Sequence, residues 1–471
     1  MRMPNDAGAA AMPRSLDQIG SSWLGGQPGH SVSADEFLIQ TRSVLEMNEE
    51  ERLTTRTRWM NDLFRMAWEH IPFYRRLWER HGLPARLPTE LEAWPTWSVT
   101  DLRDELSRNP PFGELYLPEA LDDIAFIHSS TGTTGTPRLL PLCVSDMPNL
   151  NLIYRRFYAL MGLTSSDVCV MTGSYGVPAG SWSLTRAIRS VGATVLPVSS
   201  GKVTPPLKVL ELIDATRATA ICGTASYVLH IARKAQEDGR DLRTSSVRLI
   251  LLSGETATKE VRQELTELWG ATTRCYYANT DLGWVAVECN ASGEAFGEFG
   301  MHIFDDLSHI EILDNEHQPC AHGTPGEVVI TSCVRPSTPR IRFRTGDRAA
   351  IDTRACPCGA QSLRLLPITG RVDDAIRYHG VTIWPTAIES VIHQTFAATA
   401  EFYVEVRSGS GERKDLVVVV ESDHDADVHE ALSENLRRAF SVRVEVEPVP
   451  VGSLTSTTKV DGGLKVQRVG R

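Results

Sequence analysis

Two hydrophobic rhythms run along the chain. Between residues 35 and 82, LEMNEEERLTTRTRWMNDLFRMAWEH repeats apolar positions at helical spacing, and FYRRLWERHG reads as a short amphipathic helix closed by Gly82. From about residue 120 short apolar runs (DVCVMTG, ATVLPVS, ATAICG, VRLILLSGE, TTRCYYAN) are separated by amphipathic stretches such as VLELIDATRA, SYVLHIARKAQEDG and TKEVRQELTELWG. Apolar strands interleaved with helices predict an α/β fold with a mostly parallel sheet covered on both faces. After about residue 295, FGMHIFDD, HIEILD, GEVVITS and IRFRTGD alternate and predict a smaller antiparallel or barrel-like unit. From about residue 373, helices at PTAIESVIHQTF and DVHEALSENLRRAF with strands at EFYVEV, DLVVVVES and VRVEVEPV predict a compact tail domain. The expected division is a loose Gly/Ala/Ser/Pro-rich arm over 1–30, a large body over 31–372 and the tail over 373–471.

Composition narrows the function classes. The 48 basic and 59 acidic residues leave a net charge of -11, which disfavours a protein that coats DNA or RNA but allows a local anion pocket. Nine cysteines spread over 471 residues do not suit a secreted disulfide scaffold, so a cytoplasmic setting is expected. The start lacks a signal-like apolar core, and no uninterrupted apolar run suits a membrane span.

Chemistry concentrates in HSSTGTTGTPRLLPL, residues 128–142. Ser129, Ser130, Thr131, Thr133 and Thr134 supply hydroxyls, while Gly132 and Gly135 let backbone N–H groups converge on anionic oxygens. No Gly-Lys-Ser/Thr end follows, so this is not a Walker A loop; the base after the turn is Arg138, following Pro137. Gly254 and Glu255 follow a predicted strand, where doubly wound folds place ligand loops. Tyr175, Gly176 and Tyr227 read either as walls of a pocket for a flat or apolar acid or as core-edge residues. Cys356 and Cys358 in RACPCG offer two thiolates to one ion, short of the four ligands zinc ordinarily takes.

The loop resembles the phosphate-binding signature of adenylate-forming enzymes. FYRRLWERHGL, SVTDLRDEL…PFG, YYANTDLG (276–283), IRFRTGD (341–347) and GRVDDAIRYHGVTIWPTAIE (370–389) together resemble the phenylacetate-CoA ligase-like branch over about residues 63–471. The resemblance implies an adenylate-forming N-terminal body of several subdomains and a small mobile α+β C-terminal domain. It implies ATP-dependent adenylation of a small carboxylic acid, aryl or arylacetic, followed by transfer to CoA. Carrier-protein pantetheine or an amine is the alternative acceptor, and a nucleotide-binding scaffold is the non-enzyme alternative. It puts Tyr277, Ala278, Asn279 and Thr280 at the adenylate, Asp281 near Mg²⁺ where Glu is usual, Asp347 at the ribose, Arg371 at the nucleotide side of the domain junction, and the hinge at Asp373. Lys465 would stabilise the adenylation transition state, with Lys459 as competitor. A structural Zn²⁺ held by Cys289, His302, Cys356 and Cys358 is implied, with Cys320, His322 and His317 as rivals. No nucleic-acid or membrane partner is expected, and a homodimer is the assembly the branch points to.

Overall fold

The central strands are apolar throughout because each divides its residues between two cores. Ala220, Cys222, Leu249 and Leu251 join one apolar cluster, whereas Ile221, Ile250 and Leu252 join the other. This is the period-2 consequence of a strand covered on both faces. The computed structural model describes residues 41, 43–83, 91–129, 138–290, 300–378, 381–396, 400–408, 414–458 and 468–470.

The sheet so covered runs in the order Ile351–Asp352, Arg364–Leu365, Met301–Ile303, Gly283–Val287, Thr272–Asn279, Leu249–Leu252, Ala220–Gly223, Val168–Met171, Thr194–Pro197. Pairing is parallel from Thr194–Pro197 to Thr272–Asn279 and antiparallel beyond it. The β segments after residue 295 therefore form no single separate unit. Met301–Ile303, Ile351–Asp352 and Arg364–Leu365 extend the central sheet, while Ser308–Leu313, Gly326–Ser332 and Arg340–Ala349 build another, edged by Trp97–Ser98. Alternation reports which face of a strand is buried; it carries no information about which sheet the strand joins.

Pro72 divides the amino-terminal helical region into Glu49–His70 and Pro72–Arg80, because proline fits a helix's first turn but not its interior. Tyr74 donates to the Pro339 carbonyl (2.8 Å) and Trp97 to that of Ile341 (2.7 Å), tying this region to the second sheet. In the tail, helices Pro385–Phe396 and Ala426–Phe440 bury Ile388, Ile392, Leu432 and Leu436 against Val404, Leu416, Val418 and Val420 of a three-stranded sheet. Gly370 closes the body at a place where a Cβ would collide with the Trp384 ring of the tail.

Body and tail also meet through charge. Arg468 donates to Glu401 at 2.6 Å and lies 3.8 Å from Glu389, with Glu255 and Glu260 of the body acting on Glu389 electrostatically. Burial, opposed by Arg468 and reinforced by Glu255, Glu401 and Glu260, pushes the Glu389 carboxyl from 4.5 up to about 7. A carboxyl raised in the folded state costs stability as pH climbs from 4.5 to about 7, because the unfolded chain has already released the proton. Glu401 is shifted the opposite way, so the test is a difference between variants. The thermal midpoint of Glu389→Gln should gain on the wild type as pH rises through that window. A constant difference would contradict this.

Candidate active site

The chemistry gathers at the carboxyl ends of the parallel strands, where an open α/β sheet leaves loops free to meet a ligand. After Leu249–Leu252 the chain turns through Gly254, whose φ of +87° suits a residue without Cβ. Glu255 follows and accepts the Ser226 N–H at 2.6 Å. Burial raises its carboxyl above the ordinary range, although the Ser226 bond acts in the other direction. Tyr276 donates to the Ser253 hydroxyl at 2.8 Å and stacks on Trp284, which stiffens the neighbouring strand.

That strand carries two polar assemblies. In the first, the Tyr277 hydroxyl donates to Asp347 Oδ2 at 2.6 Å, while Arg371 donates from Nη1 to Oδ1 at 2.7 Å. Asp347 and Arg371 are opposite each other across an antiparallel pair, so backbone register brings them together. Burial, with the Asp347 charge second, lifts the Tyr277 phenol well above its usual value and keeps it a donor. Thr345 Oγ1 accepts the Asp347 N–H (3.0 Å) and donates to Val328 O (2.9 Å), fixing the turn. The result is a buried carboxylate with donors already aimed at it, chemically suited to a vicinal diol.

In the second assembly, Ala278, Asn279 and Thr280 lead to Asp281, whose N–H donates to Asn279 Oδ1 at 2.9 Å. Arg138 Nη1 lies 3.1 and 3.3 Å from the two Asp281 oxygens. Only Ser129 of the Ser/Thr/Gly loop candidates is described; Ser130, Thr131, Gly132, Thr133, Thr134 and Gly135 lie outside the described residues, as do Lys459 and Lys465. Ser129 N–H donates to the Val177 carbonyl at 3.1 Å, so the start of the loop is held against the segment following Tyr175 and Gly176. Tyr175 shares a 2.6 Å hydrogen bond with Thr185 and meets Trp182 edge-on, and Trp182 donates to Gly176 O at 2.8 Å. Tyr227 is fully buried with Val170, Ile221 and Ile250 in a core cluster. Asp373 falls in the short turn Val372–Asp374 between body and tail.

Cys289, His302, Cys356 and Cys358 bring four ligand atoms within 4.8 Å of one another. Cys289 and Cys356 sulfurs are 3.7 Å apart, near the edge of about 3.8 Å that a tetrahedron of Zn–S bonds requires. Cys358 Sγ lies 3.4 Å from His302 Nε2, and His302 Nδ1 meets Ser362 Oγ at 2.9 Å. That outer contact orients the imidazole with Nε2 toward the thiols, as metal-ligating histidines usually are. Hydrogen bonding with Cys289 and Cys358 pulls the Cys356 thiol down, while the same cluster pushes the Cys358 thiol up, so among these thiols Cys356 is the favoured thiolate. The donor set and spacing fit zinc.

Sequence reading missed three partners: Arg138 for Asp281, Tyr277 for Asp347, and Ser362 for His302. They are separated by 143, 70 and 60 residues, distances over which no local pattern operates. A further pair is wholly buried: Arg262 holds Glu288, next to Cys289, through two 2.8 Å bonds.

Comparison with known proteins adds sequence relationships to this geometry. The "AMP-binding enzyme" family matches residues 85–334, and the "AMP-binding enzyme C-terminal domain" matches 380–469. A phenylacetate-coenzyme A ligase of Thermus thermophilus is 28% identical over 454 residues, covering 91% of this chain and 96% of that one. The ligase of the same name from Pseudomonas putida is 30% identical, covering 76% and 79%. The fold matches a 2-hydroxyisobutyryl-CoA ligase solved in the postadenylation state with 2-HIB-AMP, at a TM-score of 0.76 and 22% identity over 99% and 94% of the two chains. Among the described residues, no helix is long and apolar enough to cross a membrane.

Proposed function

Because the chain belongs to the AMP-binding enzymes, as an AMP-forming acid–thiol ligase of the phenylacetate-CoA ligase-like branch, we propose that its acid is an aryl or arylacetic acid and its final acceptor CoA. The observation that carries the nucleotide half is the Tyr277–Asp347–Arg371 cluster around a buried carboxylate, with the Arg138–Asp281 pair just beyond Tyr277 in the chain.

The chemistry is two displacements. The substrate carboxylate attacks the α-phosphorus of ATP and expels pyrophosphate; the CoA thiol then attacks the acyl carbonyl and expels AMP. Neither needs a covalent intermediate on the protein, so orientation and charge stabilisation supply the acceleration. Asp347 accepts the ribose hydroxyls, and Arg371 holds that carboxylate in place. Thr280 and the loop beginning at Ser129 donate toward phosphate oxygens. Lys465 stabilises the adenylation transition state from the tail, and Asp373 is the hinge that delivers it. Asp281 offers the hard carboxylate oxygens that Mg²⁺ prefers, and the guanidinium of Arg138 stands where a cation would sit. Bound there, Mg²⁺ would neutralise charge on the polyphosphate. The Tyr175–Trp182 edge beside Gly176 supports a flat acid, since aromatic pairs favour stacked or edge-on ring partners. The Cys289–His302–Cys356–Cys358 cluster would hold a structural Zn²⁺, which would secure the extended edge of the central sheet.

The test is product analysis with ATP, Mg²⁺ and CoA across aryl, arylacetic and short hydroxy acids. The reading expects AMP and an acyl-CoA in equal amounts, with the aryl set preferred. Turnover confined to short hydroxy acids would overturn the substrate class, and AMP formation only with an amine or carrier protein would overturn the acceptor.

A further inference from the structure

Arg138 directly precedes the strand Leu139–Cys143 and follows the Ser/Thr/Gly stretch in sequence. A single nitrogen, Nη1, serves both oxygens of Asp281, at 3.1 and 3.3 Å, and the other guanidinium nitrogens have no partner among the described residues. The acid is far more enclosed than the base: side-chain exposure is 3% for Asp281 and 19% for Arg138. A carboxylate so enclosed needs a counter-charge, and Arg138 is its side-chain partner among the described residues. A more exposed arginine held through one nitrogen is poised to leave, because its remaining N–H groups can engage another anion while it pivots.

Resting on the adenylation reading, the geometry points to Arg138 as an exchangeable cation of this site. It neutralises Asp281 while the nucleotide is absent. It turns to the polyphosphate when Mg²⁺ arrives with ATP at the same carboxylate. Guanidinium and dication repel each other at that range, so the carboxylate accommodates one of them at a time. Arg138 thereby opposes metal at Asp281 and, once displaced, strengthens the hold on ATP. Its two effects have opposite signs, which a merely structural ion pair would not produce.

The experiment is calorimetric binding of α,β-methylene-ATP to the full-length protein over a Mg²⁺ series, so that no acid need be known. Arg138→Met should lower the Mg²⁺ concentration for half-maximal enhancement about fivefold, the release of a partly exposed ion pair. At saturating Mg²⁺ the same variant should bind the nucleotide about tenfold more weakly, and Arg138→Lys should recover part of that loss. In Asp281→Asn the arginine is released from the start, so binding without Mg²⁺ should strengthen; this arm stands even if Arg138→Met fails to fold. In exchange assays Arg138→Met should raise KM for ATP more than it lowers kcat. An unchanged or increased Mg²⁺ requirement in Arg138→Met, or no gain without metal in Asp281→Asn, overturns the exchange role while leaving adenylation intact. A wild type that binds no nucleotide at any Mg²⁺ level overturns the adenylation reading, and the exchange role with it.

Discussion

Asp347→Ala is expected to lower kcat/KM for ATP by about 100- to 10,000-fold, the loss of two charge-assisted hydrogen bonds worth about 1.5–3 kcal/mol each. The side chain is buried, so no solvent replaces the missing bonds at full strength. The substitution also strands two donors: the Tyr277 hydroxyl now 2.6 Å from Oδ2 and the Arg371 guanidinium now 2.7 Å from Oδ1. Asp347→Asn keeps the shape and one acceptor but removes the charge, so its loss should be intermediate. Steady-state kinetics with ATP as the varied substrate, at saturating acid and CoA, read the effect; a thermal midpoint for each variant separates it from unfolding. A folded Asp347→Ala enzyme within threefold or so of wild type would remove the ribose role, since that is below the worth of even one such bond.

Removing the cluster of Cys289, His302, Cys356 and Cys358 should produce the second large effect, on stability. The protein purified without added metal should contain about one equivalent of zinc, the requirement of a closed four-ligand site. Cys356→Ser should lose most of it and melt about 5–10 °C lower, the scale of losing a few kcal/mol in a domain of this class. The cluster joins distant parts of the chain: Cys289 follows strand Gly283–Val287, His302 lies in Met301–Ile303, and Cys356 and Cys358 precede Arg364–Leu365. These strands pair side by side and adjoin the strand bearing Tyr277, so loss of metal should loosen the nucleotide site as well. Elemental analysis and thermal unfolding before and after chelation check this. Less than about 0.3 equivalent of zinc in freshly purified protein, with a midpoint indifferent to chelator, would contradict a four-ligand structural site.

Features encoded locally were the ones legible in sequence. Strands Ala220–Gly223 and Leu249–Leu252 are apolar at nearly every position, and Pro72 marks a helix start by its own stereochemistry. The Cys356–Cys358 pair was visible as a ligand-bearing turn because both thiols sit in one short stretch. What escaped depends on long-range register. Nothing near Met301–Ile303 says that it pairs with Gly283–Val287 and Arg364–Leu365 and so joins the central sheet. Arg138 and Asp281 read singly as a base after the loop and an acid where Glu is usual, and only the fold shows that they face each other. Tyr227 could be read as pocket wall or core from its chemistry; its burial among Val170, Ile221 and Ile250 puts it in the core cluster.

The central claim is that the site activates a carboxylic acid at the α-phosphorus of ATP. Acid-dependent ATP–pyrophosphate exchange, run with Mg²⁺ and without CoA, isolates that half-reaction. Label from pyrophosphate should enter ATP only when a cognate acid is present, strongest among aryl and arylacetic acids, and at subsaturating ATP Asp347→Ala should slow it by the same factor as kcat/KM for ATP. Folded, nucleotide-binding protein that exchanges no label with any acid of a broad panel would contradict it.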